Sequence, residues 1–276
     1  MISTTSLVRF INFNCRNEHS MIVSGSELLA ESGGITVVLG PSGSGKSTLL
    51  RFVSGLQPRK VGLERLEAAV SHVAGYDTPA EALRSGAIAF VPQSPTLMPQ
   101  WNVQMNIENL ARCSRECGRA TLAGLFEAEE IPSLLKKYPR ELSGGMQTRV
   151  AIARALSTSA ASVLLIDEAF SSLDVDRRRR SYILVRGWVR CAEARRTCIV
   201  VTHDLHEALV LGDRIYVVTG GGLVSAKEWD GTESSELPPT RDLMNPDWIA
   251  QDAERHHLAA RILELLTGGG RGTDVA

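Results

Sequence analysis

The sequence predicts an α/β fold with a mainly parallel sheet, a small antiparallel β part and an inserted helical subdomain. Short apolar, β-branched runs alternate with segments of helical spacing, which is typical of strands buried on both faces of a parallel sheet. The central stretch 101–140 is instead composed of helix formers broken by glycine and proline. We expect one large domain over 1–225, with a helical subdomain at about 94–158, and a short C-terminal tail over 226–276.

Individual elements follow from local patterns. The expected parallel strands are Ile35–Leu39, 162–166, 197–201 and 214–218. A helix is expected at Lys46–Val53, where Gly55 provides a C-terminal stop. A second is expected at 145–156 and a third, in the tail, at 248–266. The segment 56–90 is expected to contribute short strands beside the core.

Composition is that of an ordinary globular protein, with 43% hydrophobic and 22% charged residues among 276. The net charge of −1 argues against a general nucleic-acid binder, so no nucleic-acid partner is expected. Five cysteines at irregular spacing indicate reduced thiols. Cys113 and Cys117 are four apart, but no further ligand lies nearby, so plain helix residues are favoured over a metal site.

Neither a secretory signal nor a membrane-spanning segment is predicted. Residues 1–20 are polar, and no run reaches the roughly 18 apolar residues that a membrane helix needs. Any role at a membrane would therefore depend on a partner.

A glycine-rich loop between the first expected strand and helix fits the pattern G-x-x-x-x-G-K-[ST]. Such a loop directs backbone N–H groups towards phosphates, aided by the N-terminus of the following helix. Lys46 would contact the β- and γ-phosphates, and Ser47 would offer its hydroxyl to Mg²⁺. The predicted nucleotide-binding residues are Gly40, Pro41, Ser42, Gly43, Ser44, Gly45, Lys46, Ser47 and Thr48. This pattern indicates a P-loop NTPase, a class that includes kinases, GTPases, helicases and transport ATPases.

Two carboxylates, Asp167 and Glu168, end a second apolar run. Asp167 is suited to hold Mg²⁺, directly or through water. Glu168 is suited to polarise the attacking water. A lone Asp-Glu pair would more often cap a helix, but a phosphate loop requires an acidic partner on an adjacent strand.

The segment 142–147, Leu-Ser-Gly-Gly-Met-Gln, lies between these two motifs. Ser143 can cap a helix, and Gly144 and Gly145 allow the backbone to approach a phosphate closely. In this order the segment resembles the signature of ABC ATPases, and the resemblance extends over about 30–220. In that family the signature contacts ATP held by the other subunit.

Three shorter segments support the resemblance. Gln93, after Val91 and Pro92, resembles the Q-loop glutamine, which would contact Mg²⁺ and water and couple to a membrane subunit. Asp174 resembles the D-loop aspartate, which lies across the dimer interface. His203 resembles the switch histidine near the γ-phosphate.

The resemblance implies an ATP-hydrolysing subunit that sandwiches two ATP molecules, with Mg²⁺, against a second copy of itself. It implies integral-membrane permease subunits as partners, indirectly a solute-binding protein, and a peripheral place on the cytoplasmic face of the inner membrane. The stretches 93–101 and 138–142 resemble the importers of nitrate, sulfonate and taurine, so a small organic or inorganic oxyanion is the expected solute. Alternatives are an exporter or lipid-handling system, a soluble ABC ATPase, and a non-hydrolysing scaffold. The presence of Glu168 and His203 argues against the scaffold.

The sequence departs from the family pattern at a few positions. Ala169 stands where proline is usual after the catalytic glutamate, and Thr148 stands where glutamine is common, with little effect expected. The adenine-stacking residue is left open between Phe13 and His19, and counting back from Gly33 places Asn17 near that position. The arginine run 177–180 is expected to be a solvated helix face, with a partner-binding patch as the alternative.

Overall fold

The computed structural model describes residues 6–16, 21–56, 65–191, 194–219, 222–227 and 253–268. Among these residues, six strands form one sheet in the order β5-β6-β7-β3-β8-β9. Its neighbours are parallel except for the last pair, β8 and β9. The expected mainly parallel α/β sheet is therefore confirmed.

The strands of this sheet are short and almost entirely apolar. They are β3 (Ile35–Leu39), β5 (Ile88–Val91), β6 (Val163–Asp167), β7 (Thr197–Thr202), β8 (Arg214–Thr219) and β9 (Gly222–Lys227). All residues of β3, β6 and β7 are buried, because helices cover both faces of the sheet. The central strand β3 pairs with β7 on one side and β8 on the other.

Three antiparallel strands form a second, smaller sheet in the order β2-β1-β4. They are β1 (Ser6–Arg16), β2 (Met21–Glu31) and β4 (Arg65–Val73). This sheet is the predicted antiparallel part. The segment 56–90, expected to contribute short strands, also contains the helix α2 (Pro79–Ser85). Thr78 caps this helix with Pro79 at its start, and Gly86 ends it in a left-handed conformation.

Helices pack on both faces of the main sheet. The remaining ones are α1 (Lys46–Val53), α3 (Val103–Ala111), α4 (Arg115–Ala123), α5 (Ile131–Leu134), α6 (Gly144–Leu156), α7 (Val175–Val189), α8 (Leu205–Leu211) and α9 (Ala253–Gly268). Helices α3 to α6 lie between β5 and β6 in the chain, as expected for a helical insertion. Ser143 and Asp174 cap α6 and α7 by accepting hydrogen bonds from the backbone N–H groups of Met146 and Arg177.

Helix α9 lies within the tail, where the sequence predicts a helix over 248–266. It packs against the main sheet, and the Ile262 side chain is fully buried in the central core cluster. Leu258, Leu265 and Leu266 pack against the same cluster. Among the described helices, none is long and apolar enough to cross a bilayer.

One expectation for an individual residue is wrong, and one holds in part. The arginines of 177–180 form a partly solvated face, since the Arg177 and Arg180 side chains are about half exposed, but Arg178 pairs with Asp204 at 3.4 Å and Arg180 pairs with Glu127 at 2.6 Å. These pairs connect α7 to the N-terminus of α8 and to the helical insertion. Cys113 is not a helix residue, because α3 ends at Ala111 and α4 begins only at Arg115.

Candidate functional site

Two of the predicted catalytic residues, Glu168 and His203, meet at the carboxyl edge of the parallel sheet. Strand β3 leads into the glycine loop, β6 ends at Asp167, and β7 ends immediately before His203. Two backbone hydrogen bonds fix these ends relative to one another: Gly40 N–H donates to Thr202 O at 3.2 Å, and Glu168 N–H donates to Val201 O at 3.0 Å. In open α/β sheets this edge is where ligands bind.

The glycine loop curls because two of its glycines adopt left-handed backbone conformations. Gly43 has φ 80° and Gly45 has φ 91°, values that side-chain-bearing residues rarely adopt. Gly45 precedes α1, so the N-terminal N–H groups of the helix point into the loop. The hydroxyl of Ser44 is buried and has no hydrogen-bond partner among the described residues, which fits a loop that binds an external oxygen-rich group.

Lys46 is nearly fully buried, with 4% of the residue exposed. Its Nζ donates to the carbonyl oxygens of Gly40 and Pro41, both at 2.8 Å, and lies 3.4 Å from Oε1 of Glu168. The ammonium is thus centred over the loop, where it can neutralise phosphate charge.

A hydrogen bond between Ser47 and Asp167 joins the start of α1 to the end of β6. The Ser47 hydroxyl donates to Oδ1 of Asp167 at 2.8 Å, across 120 residues of sequence. Burial raises the pKa of Asp167, and the neighbouring Glu168 carboxylate adds to this. Hydroxyl and carboxylate oxygens are ligands that Mg²⁺ prefers, so the pair fits the predicted metal site, and a nearby divalent cation would favour the ionised form.

Two side chains, those of Lys46 and His203, orient the Glu168 carboxylate, and the Glu168 backbone adopts an uncommon conformation. Its φ of 46° and ψ of 22° are left-handed, a conformation that costs a non-glycine residue roughly 1–2 kcal/mol. A proline at position 169 would disfavour helical conformations at residue 168, and Ala169 removes that restriction. The carboxylate lies 3.4 Å from Lys46 Nζ through Oε1 and 3.2 Å from His203 Nδ1 through Oε2.

A buried polar cluster supports the histidine segment, and sequence reasoning missed it. The Thr202 hydroxyl donates to Oε2 of Glu207 at 3.1 Å and accepts from Asp204 N–H at 3.1 Å. Asp204 also caps α8 and pairs with Arg178. Burial raises the pKa of Glu207 to about 8, with the Thr202 hydrogen bond opposing the rise. The only available sequence signal was Asp204 at a helix start.

The predicted signature and D-loop residues, Ser143, Gly144, Gly145 and Asp174, lie at the starts of α6 and α7. A side chain at Gly144 would meet no atom of this chain within 4 Å, and one at Gly145 would lie 3.5 Å from Ser172 O. Asp174 pairs with Arg177 at 2.7 Å. None of the hydrogen bonds in the described part of the chain joins Ser143 or Asp174 to the glycine loop. Among the described residues, the contacts of Lys46 are with Gly40, Pro41 and Glu168 and not with these residues.

Gln93 follows β5, whose residue Val91 pairs with Ile166 of β6, so its backbone lies near the edge that carries Asp167. Its side chain is exposed, and it makes no contact with Asp167 or Ser47 among the described interactions. Of the adenine-stacking candidates, Asn17 and His19 lie outside the described residues. For Phe13 the structure describes only the backbone, which pairs with Ser26.

The comparisons with known proteins agree with this geometry. The family model described as "ABC transporter" matches residues 23–171, which is more than half of the chain. The sulfate/thiosulfate import ATP-binding protein CysA of Synechococcus elongatus is 38% identical over 200 residues, covering 71% of this chain and 55% of that protein. An Fe(3+) ions import ATP-binding protein, FbpC 2 of Pectobacterium atrosepticum, is 36% identical, covering 73% and 57%. The chain thus spans about half the length of these curated relatives.

Solved structures show the same fold. A dimeric bacterial ABC transporter cassette aligns with a TM-score of 0.64 at 25% identity, covering 78% of this chain and 96% of that chain. A dimeric post-hydrolysis cassette bound to ADP and Pi aligns with a TM-score of 0.65 at 25% identity, covering 82% and 100%. These matches confirm the P-loop NTPase fold. By its family match and by its glycine loop, acidic pair and histidine, the chain belongs to the ABC transporter family.

Proposed function

We propose that this chain is the ATP-binding and ATP-hydrolysing subunit of an ABC importer. The observation that carries the proposal is the position of Glu168, which lies between Lys46 and His203 and directly follows Asp167, the partner of Ser47. A carboxylate held beside a phosphate-binding lysine is placed to orient a water for attack on a terminal phosphate.

Each residue has a distinct task in this proposal. Lys46 and the N–H groups of the loop hold the phosphates and neutralise their charge. Ser47 and Asp167 would hold Mg²⁺, which supplies further charge neutralisation when bound, with Gln93 as an additional ligand. Ionised Glu168 accepts hydrogen bonds only, so a neutral His203 facing it carries its proton on Nδ1 and presents Nε2 as an acceptor.

A second copy of the chain completes each site in this proposal. Ser143 and Asp174 make no hydrogen bond to the chain's own glycine loop among the described residues, and a side chain at Gly144 would meet no atom within 4 Å. An isologous dimer would place these residues against the ATP of the partner. The dimeric state of the solved cassettes supports this arrangement.

A groove at the free edge of β5 supports a permease as partner. It has a volume of about 400 Å³ and is lined by Phe90, Met98, Leu110 and Arg154, among others. Met98 and Leu110 are both more than a third exposed, and the Arg154 guanidinium donates to Thr96 O at 2.7 Å. We assign this groove to a short cytoplasmic helix of an integral-membrane permease, which would place the chain at the cytoplasmic face of the inner membrane.

The proposed solute is a small oxyanion, delivered by a solute-binding protein. The curated relatives include importers named for sulfate, thiosulfate and sn-glycerol-3-phosphate, which are oxyanions, alongside importers named for Fe(3+). The stretches 93–101 and 138–142 favour the nitrate, sulfonate and taurine group within this chemistry. We further propose the division into an ATPase domain over 1–225, with the helical subdomain at 94–158, and a tail over 226–276.

Mg²⁺-dependent ATP hydrolysis tests the enzymatic part directly. Wild-type protein, with its co-purified permease, should release phosphate, and Lys46→Ala and Glu168→Gln should not. Glu168→Gln should in addition form an ATP-dependent species of doubled mass in light scattering, whereas Lys46→Ala should not. If phosphate release by the wild-type complex does not exceed the background rate, the ATPase assignment is refuted.

Recovery of tagged Glu168→Gln from membranes tests the transport part. A permease together with a solute-binding protein supports import, and the ligand of that binding protein identifies the solute. A permease without a binding protein would instead indicate export or lipid handling. Recovery of soluble partners alone would overturn transport while leaving hydrolysis intact.

A further inference from the structure

We propose that Thr148 and Ser172 are positioning residues that couple the signature turn (143–145) to the catalytic turn (168–172) within one subunit. Thr148 lies on α6, one turn after the signature glycines, and Ser172 ends the short 3₁₀ helix that follows Glu168. Their hydroxyl oxygens are 3.0 Å apart. The pair joins two segments that are 24 residues apart in sequence.

Three hydrogen-bond contacts converge on these two hydroxyls. Thr148 Oγ1 lies 3.2 Å from Gly144 O, and Ser172 Oγ lies 3.1 Å from Ala169 O. The third contact is the one between the hydroxyls themselves. Each hydroxyl carries a single proton, so only two of the three contacts are hydrogen bonds at any time.

In two arrangements of the hydroxyl protons, the pair forms one hydrogen bond between the hydroxyls and one to a backbone carbonyl. In the first, Ser172 donates to Thr148, which donates to Gly144 O in the signature turn. In the second, Thr148 donates to Ser172, which donates to Ala169 O in the catalytic turn. The remaining combination, in which each hydroxyl donates to its own carbonyl, leaves oxygen lone pairs facing each other at 3.0 Å. The hydroxyl pair is therefore a two-state element whose direction favours one turn or the other.

This element would connect the two ATP sites of the dimer. The inference rests on the proposed function, in which Glu168 acts on the subunit's own ATP and the signature turn acts on the partner's ATP. When the catalytic turn shifts, the hydrogen bond from the hydroxyl pair moves between Ala169 O and Gly144 O. The signature turn therefore gains or loses its hydrogen bond to Thr148. Thr148 is 1% exposed, so water does not readily replace the bond from its side.

Thr148 is a residue from which the sequence analysis expects little effect, but its hydroxyl lies 3.0 Å from that of Ser172. Gly145 allows the two segments to approach, since its Cβ position lies 3.5 Å from Ser172 O and 3.7 Å from Leu173 Cδ2.

The test is the ATP dependence of hydrolysis in a set of matched variants. Thr148→Val keeps the shape and removes the hydroxyl, Ser172→Ala removes the other hydroxyl, and Thr148→Ser restores the first. The control is Thr121→Val, because Thr121 also bonds the carbonyl four residues earlier and accepts from Ser157 Oγ at 3.0 Å, at the opposite end of α6.

We expect Thr148→Val and Ser172→Ala to lower the Hill coefficient for ATP towards 1 and to change the half-saturating ATP concentration about five-fold, the effect of one neutral hydrogen bond on an equilibrium. The double variant should be no worse than either single one, because both remove the same coupling. Thr148→Ser should restore the wild-type Hill coefficient, and Thr121→Val should not change it.

Several results would overturn the coupling. These are an unchanged Hill coefficient in both single variants, additive losses in the double variant, an equal loss in Thr121→Val, or a Hill coefficient of 1 in the wild type. If Thr148→Val fails to fold, Ser172→Ala decides alone, because Ser172 is solvent-exposed. A wild type without any hydrolysis would refute the proposed function instead, so the two failures are distinct.

Discussion

Nδ1 of His203 lies 3.2 Å from Oε2 of Glu168, and the other oxygen of the same carboxylate lies 3.4 Å from Nζ of Lys46. Both carboxylate oxygens therefore have a partner, although Glu168 occupies a left-handed backbone conformation. The side chain is fixed from two directions by residues of two other segments, the glycine loop and the end of β7. Orientation of the carboxylate is thus a property of the tertiary structure.

The contact through Nδ1 predicts a specific order among His203 variants. The amide nitrogen of asparagine stands near the position of Nδ1, whereas that of glutamine stands near Nε2. If orientation of Glu168 is the role of His203, His203→Asn retains more turnover than His203→Gln, and His203→Ala loses about 100-fold or more. Steady-state kinetics measure the order, and equal activity of the Gln and Asn variants would contradict it.

The bond between Ser47 and Asp167 predicts a change in metal requirement. Ser47→Ala removes one oxygen ligand and the donor that orients Asp167, so the Mg²⁺ concentration for half-maximal hydrolysis should rise about 10–100-fold. Ser47→Thr keeps the hydroxyl and serves as the control. The measurement is a Mg²⁺ titration at saturating ATP. Identical curves for Ser47→Ala and the wild type would exclude Ser47 as a metal ligand.

Buried Glu207 predicts a pH-dependent stability. Its folded-state pKa is raised to about 8, so between pH 4.5 and pH 8 the folded protein keeps a proton that the unfolded chain releases. Stability contributed by this group is present below pH 4.5 and falls as pH rises, by up to about 1.4 kcal/mol per pH unit. Glu207→Gln, which is always neutral, should therefore raise the unfolding temperature more at pH 8 than at pH 5. Parallel thermal-unfolding curves for the two proteins across this range would show that Glu207 is ionised when folded.

Docking of α9 predicts a large difference between two adjacent residues. Ile262 is fully buried and Leu263 is half exposed. Ile262→Ala should lower the free energy of unfolding by about 2–5 kcal/mol through lost burial and cavity formation, whereas Leu263→Ala should change it by less than about 0.5 kcal/mol. Urea unfolding measures both. Equal small effects would mean that α9 contributes little to the stability of the core.

Many local elements and chemical motifs were predictable from the sequence alone. The run Ile35–Leu39, the glycine loop and the helix Lys46–Val53 were predictable because buried strands, φ-permissive glycines and helix starts each leave a local pattern. Asp167 and Glu168 were recognisable for the same reason, as carboxylates at the end of an apolar run.

Which side chains contact one another was not predictable from the sequence and depends on the tertiary structure. Thr202 and Glu207, Arg178 and Asp204, and Thr148 and Ser172 are common residue types without a distinctive local pattern, and their pairing depends on how strands and helices pack. The ion pairs of the arginine run were not predictable for this reason, because charge alone does not show whether an acidic partner lies across the fold. Local sequence fixes backbone conformation through short-range sterics and periodicity, whereas contacts between distant residues arise only when the burial of apolar faces brings the elements together.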